Sequence, residues 1–297
     1  MSMLFRGTAP ALVTPFTADG AVDEGAFRRL IDRQIDGGVE GLVVLGTTGE
    51  NATIWPDERR RLIAVALEHT DGRVPVIIGT GNNSTAESIV FSKEAAAAGA
   101  DGLLIVGPYY NKPTQAGFRA HVAAIAEATD CPLVLYNVPG RTSFNCTAET
   151  TLRIAEETPT VVGVKEASGD LAQIADILAH RPDHLAVYSG DDEVALPLMV
   201  LGADGVISVV SNVLPDLFSE MVRAGLAGDY DTARRLHFRL LPAMRACFFE
   251  TNPIPAKTML GAMGLIDPRL RLPLVPMEEA NRQRMLAAFA DLVEVEA

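Results

Sequence analysis

Eight short apolar runs, separated by segments with helical periodicity, constrain the fold of this chain more than any other feature. The runs occupy residues 9–13, 41–45, 74–78, 102–106, 133–136, 161–164, 185–188 and 205–209. They are continuous rather than alternating in polarity, which is typical of parallel strands that are covered on both faces. A chain of 297 residues is long enough to form one large α/β barrel.

The segments between the runs have the periodicity of amphipathic helices. Helices are predicted over residues 27–35, 59–67, 86–98, 118–128, 150–156, 171–178 and 195–201. Capping residues stand at their starts, as at Asp23, Asp57 and Ser84. Eight alternations of strand and helix predict an α/β fold, a (β/α)8 TIM barrel, over residues 1–226. A doubly wound sheet usually has fewer strands and is the second choice.

The rest of the chain, residues 227–297, has no further strand pattern. Helices are predicted over residues 230–246, 254–261 and 277–293, with breaks at 252–255 and 267–276. We expect a C-terminal helical extension of the barrel rather than an independent domain.

Composition and charge argue against several classes of partner. The net charge of −13 is the opposite of a nucleic-acid-binding surface. No uninterrupted apolar run reaches the roughly 18 residues that a membrane-spanning helix needs, and residues 1–6 lack the pattern of a secretory signal. We therefore expect a cytoplasmic protein that binds neither nucleic acid nor a membrane.

The cysteines and histidines do not predict a metal site. Cys131, Cys146 and Cys247 are widely spaced and form no CxxC pair. None of the five histidines stands at a spacing typical of metal ligands. Metal-dependent chemistry is therefore disfavoured.

Catalytic groups of a TIM barrel lie at the C-terminal ends of its strands, and two such ends carry suggestive side chains. Lys165 follows the apolar run 161–164, and Tyr136 ends the preceding run. Partial desolvation of a lysine at a strand tip favours the uncharged amine, which is a nucleophile. A neighbouring phenol could move protons during imine chemistry. Alternatively, Glu166 could pair with Lys165 and weaken it as a nucleophile.

Other strand ends are ambiguous when each is considered alone. Residues 46–50 could form a plain glycine-rich turn, or their amides and hydroxyls could bind a carboxylate. Tyr109 and Tyr110 could be packing or interface residues, and Arg141 could be a solvated loop charge. The convergence of these groups on one face from separate strands is what favours an active site.

Five motifs occur in order at these strand ends. They are Gly46-Thr47-Thr48-Gly49-Glu50 and the stretches GPYYNKP at 107–113, YNVPGRT at 136–142, GVKEA at 163–167 and SGDD at 189–192. On these motifs the chain resembles, essentially end to end, the dihydrodipicolinate synthase family. That family lies within the class I pyruvate aldolases, which include N-acetylneuraminate lyase. The Gly-Arg-Thr at 140–142 distinguishes it from sialic acid lyases.

The resemblance implies a role for each of several residues. It implies that Lys165 forms a Schiff base with pyruvate and that Tyr136 is the proton donor and acceptor. Thr47 and Thr48 would bind the pyruvate carboxylate, with Thr47 also in a proton relay that Tyr110 of a neighbouring subunit completes. Further implied substrate-binding residues are Arg141, for the carboxylate of the second substrate, and Gly190 and Ile207, around the pyruvyl group.

The resemblance also implies the reaction. A lyase of this family condenses pyruvate with aspartate β-semialdehyde to 4-hydroxy-tetrahydrodipicolinate, the first committed step of diaminopimelate and lysine biosynthesis. No cofactor is expected, because the protonated imine is itself the electron sink. A homotetramer built as a dimer of dimers is implied. The alternatives are another pyruvate-dependent aldolase or lyase acting on a sugar acid or hydroxy-oxo acid, and a non-catalytic binding protein on the same scaffold.

A possible effector site for lysine is implied at one further group of residues. These residues are Asn51, Ala52, Asn83, Glu87 and Tyr109. Relatives that lysine inhibits carry histidines just after the GTTGE motif, whereas this chain has WPDER at 55–59. The absence of histidine there argues against feedback inhibition by lysine.

Overall fold

Eight parallel strands form the centre of the molecule. The computed structural model describes residues 3–293. The strands are β1 (Gly7–Pro10), β2 (Leu42–Val44), β3 (Val76–Gly79), β4 (Gly102–Val106), β5 (Leu133–Asn137), β6 (Val161–Glu166), β7 (Ala186–Ser189) and β8 (Gly205–Ser208). From β2 to β8 each strand pairs in parallel with the next, and β8 pairs with β1. A parallel bridge between Ala11 and Val43 brings the β1 and β2 ends together. The predicted TIM barrel is confirmed.

Helices follow the strands, most of them around the outside of the barrel. They are α1 (Glu24–Asp36), α2 (Pro56–Thr70), α3 (Thr85–Ala98), α4 (Gln115–Ala128), α5 (Pro139–Thr142), α6 (Ala148–Glu157), α7 (Leu171–His180), α8 (Ala195–Val200) and α9 (Pro215–Leu226). Asp23 and Ser84 cap α1 and α3, accepting hydrogen bonds from Ala26 N and Glu87 N. Asp57 does not cap α2 as predicted, because Pro56 already begins that helix.

Two apolar layers explain why the strand runs are continuous in sequence. Alternate residues of a strand point to opposite faces. On β2, Val43 joins the cluster inside the barrel, whereas Leu42 and Val44 join the cluster between the strands and the helices. Inside the barrel Phe5, which precedes β1, stacks on Tyr188 with ring centroids 4.3 Å apart. Because both faces are buried, no polar alternation is left in the sequence.

Three more helices follow the barrel in the part of the chain that the structure describes. They are α10 (Tyr230–Ala246), α11 (Ile254–Ala262) and α12 (Glu279–Phe289). α10 packs against α9 and α12, and α11 packs against α12. Residues 294–297 of the expected extension lie outside the described residues. We retain residue 226, where α9 ends, as the proposed boundary between barrel and extension. None of the helices in the described part is long and apolar enough to cross a membrane.

Candidate active site

A cavity of about 510 Å³ opens at the C-terminal ends of the strands. Its wall contains five residues that the sequence led us to expect there: Thr48, Tyr136, Arg141, Lys165 and Gly190. The remaining lining residues are Val138, Ala167, Asp191, Glu193, Val209, Arg245, Phe248, Phe249 and Asn252. The barrel therefore brings a lysine, a tyrosine, a threonine and an arginine from three separate chain segments to one cavity.

Lys165 and Tyr136 lie side by side in this cavity. They are partners in the register of β5 and β6, so their side chains project in the same direction. The Lys165 Nζ lies 4.3 Å from the centroid of the Tyr136 ring. Lys165 is 4% exposed and Tyr136 is 6% exposed. The amine is thus held against an aromatic face and is largely shielded from bulk solvent.

Glu166 points to the opposite face of β6 and does not pair with Lys165. Its carboxylate accepts hydrogen bonds from Asn137 Nδ2 (3.1 Å), Ser168 N (2.8 Å) and Gln173 Nε2 (3.1 Å). Burial raises the pKa of Glu166, and the hydrogen bond from Asn137 opposes that shift. The alternative in which Glu166 weakens Lys165 as a nucleophile is wrong, because strand alternation separates the two groups.

The threonines of the GTTGE motif lie in a short 3-10 turn after β2, over Thr47–Gly49. The Thr48 hydroxyl accepts a hydrogen bond of 2.7 Å from Asn252 Nδ2. Thr47 does not line the main cavity. It lines a small adjacent cavity, one wall of which is Tyr136. Tyr136 therefore borders both the main cavity and the small cavity that Thr47 lines.

Arg141 extends from the short helix α5 into the cavity wall. Its Nη2 donates to the Asn252 carbonyl oxygen over 3.2 Å, which is its only side-chain hydrogen bond within residues 3–293. A guanidinium has five N–H donors, so most of the donors of Arg141 remain available to an anion.

Gly190 leaves room for the lysine. A Cβ at this position would lie 2.6 Å from Ala167 Cβ and 3.1 Å from Lys165 Cε. Ile207 is fully buried on β8 in the barrel interior, and Val209 is the residue beyond β8 that lines the cavity. A role for Ile207 toward a pyruvyl group stays a prediction.

Tyr110 is not in the cavity of its own chain. It lies in the loop after β4, is 90% exposed and has a left-handed φ of 70°. Its predicted place in the site of a neighbouring subunit stays a prediction.

Three of the five residues of the possible effector site line a second cavity of about 220 Å³. Asn51, Ala52 and Tyr109 line it, together with Arg59. Asn83 and Glu87 are not in its wall but act on Tyr109. Burial raises the pKa of the Tyr109 phenol, the nearby charge of Glu87 raises it further, and a hydrogen bond with the Asn83 backbone lowers it.

Sequence reasoning missed the part of the site that comes from the C-terminal extension. Arg245, Phe248, Phe249 and Asn252 all lie in α10 or the loop after it. Arg245 Nε donates to the Glu193 carboxylate over 3.0 Å at the rim. The only signal for this region was the break at 252–255, which marks a turn and does not show what the turn contacts. Within residues 3–293, no group of three or more His, Cys, Asp or Glu side chains is arranged to hold a metal ion.

Comparison with known proteins gives one consistent result. The model of the dihydrodipicolinate synthetase family matches residues 4–291. The 4-hydroxy-tetrahydrodipicolinate synthase of Salinibacter ruber is 65% identical over 99% of this chain and 98% of the relative. The enzyme of the same name from Maridesulfovibrio salexigens is 51% identical over 96% of this chain and 97% of its own. The dihydrodipicolinate synthase structure from Thermotoga maritima superposes with a TM-score of 0.95 at 44% identity, covering 97% of this chain and 99% of that one.

Proposed function

Because the chain belongs to the dihydrodipicolinate synthetase family, we propose that the cavity at the barrel mouth is the active site of a 4-hydroxy-tetrahydrodipicolinate synthase. This lyase condenses pyruvate with aspartate β-semialdehyde in diaminopimelate and lysine biosynthesis. The observation that carries the proposal is the buried Lys165 amine, 4.3 Å from the centre of the Tyr136 ring, in a cavity that also holds Arg141.

Lys165 is the nucleophile of the proposed reaction. Its uncharged amine adds to the keto carbon of pyruvate, and loss of water gives a protonated imine. The imine acidifies the pyruvate methyl group, which loses a proton to form an enamine, and this carbon attacks the aldehyde. The amino group of the second substrate then displaces Lys165 and closes the ring.

Tyr136 moves protons in these steps. Its ring lies against the Lys165 amine, so its hydroxyl group is close to the atoms that gain and lose protons. Thr47 lines a small cavity that Tyr136 also borders, and in the proposed relay Tyr110 of a neighbouring subunit follows Thr47. The protonated imine accepts the electrons, so the proposed reaction uses no cofactor.

Two carboxylates have separate binding groups in the proposed complex. The Thr48 hydroxyl, in the turn after β2, binds the pyruvate carboxylate. Arg141, whose N–H donors are mostly unused within the described chain, binds the carboxylate of aspartate β-semialdehyde. The two groups fix the order of the substrates along the cavity.

Reduction of the imine tests the assignment of the nucleophile. Treatment with pyruvate and borohydride should add one pyruvyl-derived mass to the native chain, and peptide mapping should locate it on Lys165. A Lys165→Ala variant should lose the adduct and keep its circular dichroism spectrum. A label on Lys112 or Lys257 would contradict the proposal.

A substrate comparison separates this activity from that of other pyruvate-dependent aldolases and lyases. Pyruvate consumption should depend on aspartate β-semialdehyde. Cleavage of N-acetylneuraminate or 2-keto-3-deoxygluconate should remain at background. Preferred cleavage of either sugar acid would replace the proposed second substrate, while the imine on Lys165 would stand.

The proposed enzyme is a cytoplasmic homotetramer built as a dimer of dimers. Tyr110 supports assembly, because a large ring that is 90% exposed in the single chain is available for contact with another copy. Cys131, Cys146 and Cys247 are buried free thiols, as expected in a reducing compartment.

A further inference from the structure

We propose that Asn252 is a positioning residue for this reaction. Its side-chain amide fixes the Thr48 hydroxyl as a hydrogen-bond donor toward the keto-acid carboxylate. The inference rests on the proposed function and assigns a role to the C-terminal extension in it. It concerns the direction of one hydrogen bond, which determines whether the pyruvate carboxylate meets a proton or a lone pair.

The contact between Asn252 and Thr48 is short and enclosed. Asn252 Nδ2 lies 2.7 Å from Thr48 Oγ1, and the two residues are 5% and 3% exposed. The side chain of Thr48 makes no other hydrogen bond within residues 3–293. Both residues line the cavity that holds Lys165. The Thr48 hydroxyl therefore has one partner on the protein side and the cavity on the other.

The chemistry of a hydroxyl group gives this contact a consequence. A hydroxyl has one proton and two lone pairs, whereas an ionised carboxylate can only accept. When Asn252 Nδ2 donates to a lone pair of Thr48, the hydroxyl proton is not used in that contact. The proton can then be donated to a carboxylate in the cavity. If Thr48 instead donated to Asn252, it would present only lone pairs to the carboxylate and repel it.

The backbone of Asn252 contacts the group proposed for the second carboxylate. Its carbonyl oxygen accepts the 3.2 Å hydrogen bond from Arg141 Nη2. One residue of the extension therefore touches both proposed carboxylate-binding groups, Thr48 through its side chain and Arg141 through its main chain. Substitution of the side chain removes the first contact and leaves the atom that makes the second.

The other end of the same amide contributes nothing to the fold. Asn252 Oδ1 is buried and has no hydrogen-bond partner within the described residues. A buried polar atom without a partner opposes folding. The Asn252 side chain makes its hydrogen bond to Thr48 through Nδ2, while Oδ1 has no partner in residues 3–293. This arrangement is better explained by an effect on the site than by stabilisation of the loop that carries Asn252.

A separate labelling of the native chain with pyruvate and borohydride first establishes that Lys165 forms the imine. The kinetics of unlabelled Asn252→Ala and Asn252→Asp are then compared with those of the unlabelled native enzyme. Loss of a neutral hydrogen bond should lower kcat/KM for pyruvate by about twofold to tenfold in Asn252→Ala. Asn252→Asp has nearly the same shape but cannot donate, and its carboxylate would draw the Thr48 proton away. Its kcat/KM for pyruvate should be about tenfold lower again. The KM for aspartate β-semialdehyde should change less than about threefold in both variants, because the carbonyl contact to Arg141 is kept.

A double-mutant cycle with Thr48→Val shows whether Asn252 acts through Thr48. In the Thr48→Val background, Asn252→Ala should leave kcat/KM for pyruvate within about twofold of the single variant, because the hydroxyl to be oriented is gone. A purely structural role would give the same loss in both backgrounds and overturn the inference. Native-like activity of Asn252→Asp would also overturn it, because Thr48 would then be the donor in this contact.

The outcomes for the two proposals are distinct. If borohydride does not label Lys165 in the native chain, the proposed function fails and the inference fails with it. If labelling succeeds and Asn252→Asp matches the native kinetics, only the inference fails. If Asn252→Ala does not fold, the nearly isosteric Asn252→Asp and its combination with Thr48→Val decide the question.

Discussion

Lys165 and Glu166 are neighbours in the chain but belong to different parts of the structure. Lys165 faces the cavity and lies against Tyr136, whereas Glu166 is held on the other face of β6 by Asn137 and Gln173. A shift of one residue in β6 would exchange the two side chains. The hydrogen bonds to Glu166 oppose such a shift. Glu166 therefore helps to fix the position of Lys165, the proposed nucleophile.

Arg141→Ala should separate the two half-reactions. Formation of the pyruvate imine should remain nearly intact, because Arg141 is proposed to contact only the second substrate. Condensation should fall by about tenfold to 150-fold, since a hydrogen bond to a charged group contributes roughly 1.5–3 kcal/mol. Borohydride labelling reports the first step, and pyruvate consumption with aspartate β-semialdehyde reports the second. Equal losses in both would point to a structural role.

Asp192 should make the stability of the protein depend on pH. One carboxylate oxygen accepts hydrogen bonds from Val209 N (3.1 Å) and Val210 N (2.8 Å), and the other is buried without a partner among the described residues. Burial raises the pKa of Asp192 to about 6 from an ordinary value of 3.8. The folded state therefore binds the proton more tightly than the unfolded state. The stability that this residue contributes is complete below about pH 4 and is lost as the pH rises through 6.

Asp192→Asn isolates this effect, because the amide oxygen can still accept from Val209 and Val210. Between pH 4 and pH 7 the native protein should lose roughly 3 kcal/mol of unfolding free energy relative to the variant. Chemical denaturation at several pH values measures the difference. Parallel pH profiles for the two proteins would show that Asp192 titrates normally.

At the scale of elements, the turn after β2 is held in place by the C-terminal extension. Lys257 on α11 donates to Glu50 Oε1 over 2.7 Å and to the Thr14 carbonyl over 2.8 Å. Its Nζ lies 4.1 Å from the centroid of the Phe16 ring. Glu50 Oε2 also accepts from Arg271 N. Burial lowers the pKa of Lys257, and the charge of Glu50 opposes that shift.

Lys257→Met should destabilise the protein strongly, because it leaves the carboxylate of Glu50 buried without its cation. The expected loss is about 3–5 kcal/mol of unfolding free energy. Lys257→Met combined with Glu50→Gln should recover a large part, because no buried charge remains. Denaturant titration of the three variants measures both effects. A double variant no more stable than Lys257→Met would show that the pair is not energetically coupled.

The sequence predicted the eight strands and seven of the helices between them, but its predicted ranges included neither α5 nor α9 and missed some strand ends. β1 begins at Gly7 and stops at Pro10 rather than spanning 9–13, because Leu12 and Val13 make hydrogen bonds outside the β1–β8 ladder, with Val43 and Asn212. β6 continues past its apolar run to Glu166. Apolar patterning locates buried segments, whereas strand ends depend on hydrogen-bond partners from elsewhere in the chain.

The motifs at the strand ends led to Lys165, Tyr136, Thr48 and Arg141, which all line one cavity. Asn252 could not be found in this way. It contacts Thr48 across a separation of 204 residues, and no local pattern encodes that contact. In a TIM barrel the C-terminal ends of the strands meet at one face, so residues that follow the strands can be predicted to lie close together. No comparable rule predicts how an irregular C-terminal extension packs on the barrel.

At the scale of the whole molecule, Tyr110 predicts that activity depends on assembly. Inactive Tyr110→Phe and Lys165→Ala subunits should regain activity when they are refolded together. If Tyr110 acts in the neighbouring site, one site of a mixed dimer takes Lys165 from the first subunit and Tyr110 from the second and is intact. The other site carries both defects. Native mass spectrometry confirms that mixed dimers are present.

The matched control is each variant refolded alone, which should stay inactive. If Tyr110 acted within its own subunit, every site of a mixed dimer would carry one of the two defects. Mixed dimers without activity would therefore reject the shared site.

Asn252 and Lys257 lie late in the chain, so they are synthesised after the residues that they contact. A ribosome completes all eight strands before it reaches either residue, and a nascent chain folds from its N-terminus. Lys165 and Tyr136 can meet at this stage, but the turn that carries Thr48 still lacks both of its anchors from the extension. All eight strands are therefore synthesised before the two residues that anchor the turn after β2, and a chain truncated after α9 would lack both contacts to this turn.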